Sequence, residues 1–423
     1  MKDEKIVLIS CNMFVDIDHT SKSNSRFVPA GLLYLATPLL AAGFDVEICD
    51  LAKGDNLSQY IADVYGITGL PNQYIQMQEV IQEIRRNQPH AKIILGGPFI
   101  SCSLEWLQDL LDFDFAVVGE GESVIVSAVT GVLDGVGGKM VIRGEHLLET
   151  GEFCRPALEL IDIQWYLNGQ RRPINYSLSY PTINNIIISR GCPRSCNFCR
   201  QPFGKRIRVL PDENISFILE SYAIAGAKSV RFQDDNWQYL GSKTINYILQ
   251  KLADLGLQAA FNSRVDDLDD KFLEDISSYK VIKQICFGVE SLSQRSLDVM
   301  KKGISVEEIK RVIGLCRKYN IDPAFFIMVG TPSETSFSIE TTIDLIEAEK
   351  VFPQCTFLLP IPGTIYWDDF LKHHSAIEAF SMSDGWDMRQ SEAQKIFYNI
   401  SDVSDSELLA YYSRLRKLQG NFC

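Results

Sequence analysis

Short apolar runs alternate with amphipathic segments along the first third of the chain. Each run is a few residues long, is followed by a loop, and gives way to a stretch with helical periodicity. The predicted strands are Ile6 to Ser10, Val46 to Cys49, Tyr65 to Thr68, Ile93 to Leu95 and Ala116 to Val118. Regular alternation of strand and helix is typical of α/β domains. The pattern therefore predicts a doubly wound, Rossmann-like domain over residues 1–133.

The pattern changes after residue 133. Residues 134–182 are less regular and begin with a glycine-rich stretch, and we interpret them as a linker. From residue 183 the alternation resumes, which predicts a second α/β domain over residues 183–370 and a short helical C-terminal region over residues 371–423. The six strands predicted there are Ile186 to Ser189, Val230 to Gln233, Ala259 to Ser263, Ile285 to Val289, Ala324 to Val329 and Thr356 to Pro360.

Composition and charge narrow the class of protein. The chain has 423 residues, 46% of them hydrophobic and 22% charged, which is ordinary globular usage with room for two cores. Its net charge of -13, with no basic stripe, argues against nucleic acid as a partner. No apolar stretch approaches the roughly 20 residues that cross a bilayer, so no membrane segment is predicted. Eleven cysteines without a signal peptide indicate reduced thiols and a cytoplasmic location.

Three of the cysteines lie within eight residues of one another. Cys192, Cys196 and Cys199 have C-x3-C-x2-C spacing and follow the first apolar run of the second domain. Three thiolates on one loop can hold three irons of a 4Fe-4S cluster and leave the fourth iron open to another ligand. A structural zinc site is the main alternative, but such sites use four ligands, usually in paired knuckles, and no second pair is present. A disulfide conflicts with the reducing location.

This loop resembles the cysteine loop of the radical S-adenosylmethionine (SAM) superfamily. The resemblance implies a partial (β/α)6 barrel, a 4Fe-4S cluster held by Cys192, Cys196 and Cys199, and SAM bound through its amino and carboxylate groups to the open iron. Phe198 lies where the family usually has an aromatic residue, whereas Arg194 and Ser195 precede the second cysteine where a hydrophobic residue is common.

Catalytic and binding groups in such barrels follow the carboxyl ends of the strands. The residues found there are candidates for contacts with SAM, and each also has a structural interpretation. Asp234 and Asp235 can hydrogen-bond an ammonium group, but one of them can equally cap a helix. Arg264 can pair with a carboxylate of the ligand or of the protein. The further candidates are Gly288 and Glu290 in a Gly-x-Glu-Ser run, and Gly330 and Thr331 in a segment that resembles the family's adenine-binding turn.

The first domain resembles the cobalamin-binding domains that accompany some radical SAM barrels. Four runs occur in the family's order, and they begin near Pro29, Gly43, Gly96 and Val118. Glycines at strand ends let backbone amides approach a nucleotide-like tail at the carboxyl edge of the sheet. The candidate cobalamin contacts are Pro29, Gly69, Gly96, Gly97, Gly119 and Glu120.

One familiar cobalamin motif is missing from this domain. The Asp-x-His-x-x-Gly sequence, which places a histidine below the cobalt in many cobalamin proteins, does not occur, and the first loop offers only Asp16, Asp18 and His19 in another arrangement. Similar radical SAM proteins often lack the motif. Two possibilities follow: cobalamin binds without a histidine ligand, which we favour, or the domain no longer binds it.

The combined resemblance implies a cobalamin-dependent radical SAM enzyme. We expect C-methylation of an unactivated carbon of a small molecule, by way of a 5'-deoxyadenosyl radical and methylcobalamin, with a flavodoxin or ferredoxin as electron donor. One alternative is radical oxidation, cyclisation or ring rearrangement without methyl transfer. The other is a non-catalytic iron–sulfur protein. The sequence does not identify the substrate or any catalytic side chain beyond the cofactor contacts.

Overall fold

The structure is a computed structural model of the chain. It describes residues 4–11, 26–135, 138–145, 154–169, 173–382, 396 and 398–420. The chain divides into two compact units. The first takes in Arg26–Tyr166 and the stretch that begins at Leu371, and the second takes in Leu167–Phe370 and the last helix.

The first unit contains a six-stranded parallel sheet with the order β2-β1-β3-β4-β5-β6. The strands are β1 (Lys5–Ser10), β2 (Asp45–Asp50), β3 (Val64–Thr68), β4 (Lys92–Gly96), β5 (Phe115–Gly119) and β6 (Met140–Gly144). Ile6 is in register with Val46 on one side and with Val64 on the other, so the strand order reverses around β1. The five strands predicted for this domain and its doubly wound arrangement are confirmed.

Helices alternate with these strands. They are α1 (Ala30–Ala41), α2 (Tyr74–Asn87), α3 (Pro98–Leu107), α4 (Ile125–Leu133) and α5 (Ile163–Leu167). In α2 the buried residues Met77, Ile81 and Ile84 are spaced four and three apart, which places them on one face of the helix. That face packs into the core of the unit, so the spacing of apolar residues decides the helix orientation.

The sequence prediction missed β6. This strand lies in the segment that we interpreted as a linker, where Met140 to Gly144 pair with Phe115 to Gly119. It is an edge strand, and Met140 and Val141 are exposed, so it lacks the apolar run that reveals a buried strand. The segment predicted as a linker therefore contributes to the first sheet.

The second unit is built on a six-stranded parallel sheet with the order β14-β13-β12-β11-β10-β7. Its strands are β7 (Thr182–Ile186), β10 (Ser229–Phe232), β11 (Gln258–Ser263), β12 (Ile282–Glu290), β13 (Asp322–Val329) and β14 (Phe352–Phe357). Two short strands, β8 (Ser189–Arg190) and β9 (Arg208–Val209), form a separate antiparallel ribbon. Six parallel strands in chain order confirm the predicted partial barrel.

Two strand positions differ from the prediction. The first barrel strand is Thr182–Ile186, not Ile186 to Ser189, because Asn184 and Asn185 within it obscure its hydrophobic pattern. The sixth is Phe352–Phe357, which begins four residues before the predicted Thr356. Pro353 is tolerated there because β14 is an edge strand.

The helices of the barrel lie between its strands. They are α6 (Asp212–Ile224), α7 (Ser242–Leu255), α8 (Asp270–Ser278), α9 (Gln294–Val299), α10 (Val306–Lys318), α11 (Ser336–Glu349) and α12 (Ile365–Phe370). Helix α10 shows how local sequence sets a boundary. Ser305 accepts a hydrogen bond from the Glu308 N–H, and the Glu308 carboxylate accepts one from the Ser305 N–H. This capping box fixes the first turn of the helix.

Short 3-10 turns connect several elements of both units. They are Leu51–Lys53, Leu57–Gln59, Pro71–Gln73, Gly121–Ser123, Leu158–Leu160, Pro173–Asn175 and Trp237–Leu240. None of the helices in the described ranges has the length and apolar character that a membrane crossing requires.

The C-terminal helices belong to different units. Helix α13 (Ala376–Met382) lies in the first unit, where the buried Phe380 ring contacts Tyr74 and Phe99 with centroid distances of 5.5 and 5.3 Å. Helix α14 (Asp405–Gly420) packs on the edge strand β14 of the second unit. There the Tyr412 ring stacks on Phe357 at 4.4 Å.

Replacing Tyr412 with alanine should destabilise the second unit by about 3 kcal/mol, because it removes a buried ring from the cover of the edge strand. The measurement is chemical denaturation followed by circular dichroism. The neighbouring Tyr411 is only half-buried, so Tyr411→Ala serves as the control and should cost clearly less. Equal losses for the two variants would contradict the packing role of α14.

Candidate functional site

The three-cysteine loop is held closed by the backbone beneath it. It begins at Gly191, whose φ is 95° and where a Cβ would lie 2.1 Å from the Arg206 carbonyl oxygen, so only glycine fits. The Cys192 N–H donates to the Gly204 carbonyl at 3.2 Å. The β8–β9 ribbon closes the base of the same loop by pairing Arg190 with Arg208. The segment that follows the loop therefore fixes the position of the cysteines.

The loop opens onto a cavity of about 820 Å3, its open mouth included. This cavity is lined by Cys192, Arg194, Cys196, Phe198, Cys199, Gln201, Gln233, Asp234, Asp235, Asn262, Ser263, Arg264, Gly288, Glu290, Lys302 and Phe326. All three cysteines and five of the predicted SAM-contact residues thus meet around one space. Gly330 and Thr331 are not among its lining residues.

The cysteines suit an iron–sulfur cluster better than a single metal ion. Within the described ranges, no three His, Cys, Asp or Glu side chains are close enough to hold one ion. Cluster cysteines bind different irons and need not converge on a point. Burial raises the pKa of Cys192, and it raises that of Cys199 to about 12 with a further contribution from the Asp235 charge. The thiols therefore need a cationic partner to ionise, and iron supplies that charge.

Gly288 makes room for an ion pair that the sequence analysis did not anticipate. The Lys302 ammonium donates to Glu290 at 2.8 Å, and both side chains are buried. A Cβ at position 288 would lie 2.8 Å from the Glu290 Oε1 atom and 2.8 Å from the Lys302 Nζ atom. Lys302 also lies 5.6 Å from the centroid of the Phe198 ring on the cysteine loop. The predicted residues Gly288 and Glu290 are thereby linked to the loop through Lys302, which no spacing in the sequence indicates.

Gly288→Ala should reduce formation of 5'-deoxyadenosine by roughly tenfold or more, because the added methyl group displaces the Glu290–Lys302 pair from the cavity wall. The product is quantified by chromatography after addition of reductant and SAM. Gly314→Ala is the control, since a Cβ there meets no atom within 4 Å. Full activity in the Gly288 variant would show that the pair has no part in the reaction.

Asp234 connects the second barrel strand to the start of the cysteine loop. Its Oδ1 atom accepts hydrogen bonds from the Ile188 N–H at 2.9 Å, the Ser189 N–H at 2.6 Å and the Ser189 hydroxyl at 2.6 Å. Burial raises the pKa of Asp234 to about 7 despite these bonds. The helix-cap alternative is wrong for this residue, because Asn236 caps the turn that follows. Asp235 is exposed to the cavity, and the surrounding protein raises its pKa.

Asp234→Asn should melt at a higher temperature than the wild type, by a difference that grows between pH 6 and pH 8. The folded pKa of about 7 lies above 3.8, the ordinary pKa of an aspartate, so the native state holds the proton longer and loses stability as pH rises toward and through 7. Asparagine keeps the accepting oxygen without the charge. Burial also raises the pKa of Glu334 to about 7, but Glu334 is present in both proteins, so its contribution cancels in the difference between their melting temperatures. A difference that does not change with pH would contradict the buried carboxyl.

Arg264 is paired within the protein. Its guanidinium binds Asp266 through two nitrogens, at 2.9 and 3.1 Å, and donates to the Lys302 carbonyl at 2.6 Å. The remaining nitrogen, Nη1, lies 3.8 Å from the Cys196 sulfur. The structural salt bridge that the sequence left open is therefore present, and it holds a cation beside the cluster loop. A direct contact of Arg264 with SAM stays a prediction.

Gly330 and Thr331 form a turn that is closed on itself. Both backbone N–H groups donate to the Glu334 carboxylate, at 2.7 and 3.1 Å, and Gly330 has a φ of 80°. The nearest neighbours of a Cβ at Gly330 are Leu408, Tyr398 and Asn399. These two hydrogen bonds hold the turn together, and its contact with SAM stays a prediction.

The candidate cobalamin residues of the first unit lie where its strands end. Gly97 follows β4 with a φ of 91°, and a Cβ there would lie 2.2 Å from the Thr68 hydroxyl oxygen. Gly119 ends β5 with a φ of 89°, and its N–H donates to the Ser101 hydroxyl at 2.9 Å. The same hydroxyl donates to the Gly97 carbonyl. Ser101, which the sequence analysis missed, thus ties the two glycine loops together.

The other candidates occupy the same carboxyl edge. Gly69 follows β3, and a Cβ there would meet the Met77 sulfur at 2.7 Å, whereas Gly96 has only ordinary contacts. Pro29 precedes α1 and accepts from its first turn, and Glu120 is buried after β5. Asp16, Asp18 and His19 lie outside the described residues.

Gly97→Ala should lower the cobalamin content of the purified protein, with roughly tenfold weaker binding, while the iron content stays the same. The added Cβ meets Thr68 within the first unit and moves the loop, and the cysteine loop belongs to the second unit. Gly54→Ala is the matched control, because Gly54 also has a positive φ, of 82°, but no atom lies within 4 Å of its Cβ position. Unchanged cobalamin would show that this loop is not part of the binding site.

A cysteine loop at the carboxyl edge of a parallel partial barrel, in a chain that also contains a separate doubly wound domain, defines a class of iron–sulfur enzymes with two cofactor-binding domains. Two protein-family models that match the chain support this class. Residues 186–346 match the radical SAM superfamily, and residues 19–129 match the B12 binding domain. The chain therefore contains a radical SAM domain and a B12 binding domain. Its first domain implies cobalamin, and its second implies a 4Fe-4S cluster and SAM.

Similar proteins include methyltransferases. The chain is 26% identical over 367 residues to an uncharacterized methyltransferase of Pyrococcus horikoshii, covering 80% of this chain and 78% of that protein. It is 24% identical to bacteriochlorophyllide d C-12(1)-methyltransferase of Chlorobaculum tepidum, with 82% and 74% covered. The structure of the radical SAM methyltransferase TsrM from Kitasatospora setae superposes with a TM-score of 0.64 at 18% identity, over 87% of this chain and 78% of that one.

Relatives with another activity occur at comparable identity. Anaerobic magnesium-protoporphyrin IX monomethyl ester cyclase of Rubrivivax gelatinosus is 25% identical to this chain, over 74% of it and 61% of the cyclase. The protein is thus a radical SAM enzyme, and its relatives differ in the reactions that their names give.

Proposed function

We propose that this enzyme transfers a methyl group to an unactivated carbon of a small molecule. The observation that carries the proposal is the pairing of a three-cysteine cavity with a B12 binding domain in one chain, together with relatives named as methyltransferases. When bound, the cluster and SAM supply one-electron chemistry that can open a C–H bond, and cobalamin supplies a transferable methyl group.

The residues of this chain bind and orient these groups. Cys192, Cys196 and Cys199 hold the cluster, and the cavity before them carries acceptors for the amino and hydroxyl groups of SAM on Asp235 and Glu290. Arg194 lines the same cavity and is itself fixed by Tyr239 and Asp267. Because the lining side chains are held by hydrogen bonds, the site is organised before a ligand arrives.

The proposed site also has the means to limit water. Asp234, Ser263 and Glu290 lie in the wall with little exposure, and Phe326 contributes an apolar surface. A reactive organic radical is quenched by side reactions in an open site, so a walled cavity suits radical chemistry. The cluster needs an electron before it can act on SAM. We therefore propose a flavodoxin or ferredoxin as the electron donor, and a cytoplasmic location for the enzyme.

A second candidate is radical oxidation or cyclisation without methyl transfer. It is favoured by the relatives named as cyclases, which match this chain about as well as the methyltransferases do. Both reactions use the same two domains, so the products separate them. The substrates of these relatives are tetrapyrroles by name, and we include a small tetrapyrrole-like acceptor among the substrates to be screened.

The test is a product analysis of anaerobically purified enzyme from cobalamin-fed cells. With reductant, SAM and a substrate, we expect about one cobalamin and four irons per chain, and formation of 5'-deoxyadenosine, methionine and S-adenosylhomocysteine. Formation of 5'-deoxyadenosine without S-adenosylhomocysteine would favour the second candidate. Iron without cobalamin would overturn methylation.

Cys196→Ser should abolish the brown absorbance of the cluster together with all formation of 5'-deoxyadenosine, because two thiolates do not retain the cluster. Cys102→Ser, at a half-buried cysteine outside the loop, is the control and should keep both. Retention of absorbance and product in the Cys196 variant would show that the cluster ligands are assigned wrongly.

A further inference from the structure

One level of the barrel interior is polar where such barrels are usually apolar. Arg231 on β10 is in register with Asn184 on β7 and with Ala260 on β11, and Ala260 is in register with Gln284 on β12. Residues in register point to the same side of a sheet. Asn184, Arg231 and Gln284 are all buried, so the barrel encloses a layer of polar side chains around the small Ala260.

Arg231 is the unusual member of this layer. It is 1% exposed, and its Nη2 atom donates to the Asn262 side chain at 3.3 Å and to the Cys286 sulfur at 3.1 Å. Its Nε and Nη1 atoms are buried and have no hydrogen-bond partner among the described residues. An arginine cannot lose its proton, and an unpaired buried charge is among the most costly features in a protein interior.

The other cations at the cavity are already neutralised. Arg194 pairs with Asp267 at 2.5 Å, Arg264 pairs with Asp266, and Lys302 pairs with Glu290. Asp322, at the level of Gln284, is exposed and accepts from Ser177. Among the cations in and under the cavity, within the described ranges, Arg231 alone has no carboxylate partner.

Arg231 lies directly beneath the cavity floor. Asn262 lines the cavity, and its side chain contacts Gln233 above and Arg231 below. Phe326 also lines the cavity and packs on the cluster of side chains that contains Cys286. The Asn262 side chain therefore links the buried guanidinium to the cavity.

We infer that Arg231 binds a carboxylate group of the substrate at the floor of the barrel cavity. This inference rests on the proposed function and deepens it, because it assigns the substrate to the class of small carboxylic acids. Planar guanidinium nitrogens match a carboxylate in two parallel hydrogen bonds. A chain with a net charge of -13 repels anions at long range, so a fixed cation inside the barrel is needed to hold one.

Holding the carboxylate at Arg231 orients the substrate. The carboxylate end is anchored deep in the barrel, and the remainder of the molecule extends up toward the cysteine loop. Specificity follows from the same arrangement, because a neutral analogue leaves the guanidinium without a partner. The charge is therefore retained at a cost in stability while the substrate is absent.

The test uses sodium formate as a minimal carboxylate and measures thermal unfolding of the cluster-loaded enzyme against sodium chloride at equal ionic strength. Formate should raise the melting temperature of the wild type by about 2–5 °C, because a ligand that binds only the folded state stabilises it. Arg231→Met should melt higher than the wild type in chloride and should lose the response to formate. No formate response in the wild type would overturn the inference, whatever the variant does.

A matched control separates an unpaired arginine from a paired one. Arg85 binds Asp112 at 2.9 Å and Asp114 at 3.0 Å, so Arg85→Met should melt lower than the wild type and keep the formate response. Arg231→Met melting lower than the wild type with its formate response intact would show that Arg231 is structural. These measurements involve no cobalamin and no methyl transfer, so failure of the methylation proposal would not affect them.

Benzoate distinguishes a substrate site from a closed ion site. The carboxylate of benzoate can reach the buried Arg231 only if the benzoate ring stays in the cavity. If the site is reached from the cavity, benzoate should therefore also raise the melting temperature of the enzyme. A response to formate without one to benzoate would overturn the assignment to substrate and leave an internal counter-ion. A response to both that is lost in Arg231→Met supports the inference.

Discussion

The Asp234 carboxylate is the interaction on which the candidate site most depends. One oxygen receives three hydrogen bonds from Ile188 and Ser189, immediately before the cysteine loop. The loop has no regular secondary structure between Gly191 and Cys199, so its position is decided where it leaves the barrel. Three hydrogen bonds to one buried oxygen fix that point, because a slip of the strand would leave the two N–H groups and the oxygen without partners.

The charged side chains around the cavity are also held in place by specific partners. Arg194, Arg264 and Lys302 are each matched by a carboxylate; Arg194 belongs to the cysteine loop, and the other two contact its Cys196 sulfur or its Phe198 ring. A cluster coordinated by three thiolates adds negative charge to this space, so nearby cations are needed for it to be retained. The pairs keep those cations in place and limit their repulsion from one another, and Arg231 is the exception that the substrate inference explains.

Much of this organisation was visible in the sequence. Five of the six strands of the first sheet and most strands of the barrel followed from apolar runs, the cysteines followed from their spacing, and Gly288 followed from its Gly-x-Glu-Ser run. Strand β6 was hidden because it is an exposed edge, and β7 because Asn184 and Asn185 interrupt its pattern. Lys302, Ser101 and Arg231 could not be predicted, because each acts through a contact between segments that are distant in the chain. Periodicity reports which face is buried, but it does not report what a buried polar group meets.

The return of the chain to its first unit has a consequence for biosynthesis. Tyr74 and Phe99 stand at the starts of α2 and α3, and their aromatic partner Phe380 is supplied only after the whole barrel has been translated. A nascent chain that has completed the first sheet therefore still exposes two large rings at its carboxyl edge. The ribosome must add more than half of the protein before that surface is covered, so the first unit is completed only after the strands of the barrel have been made.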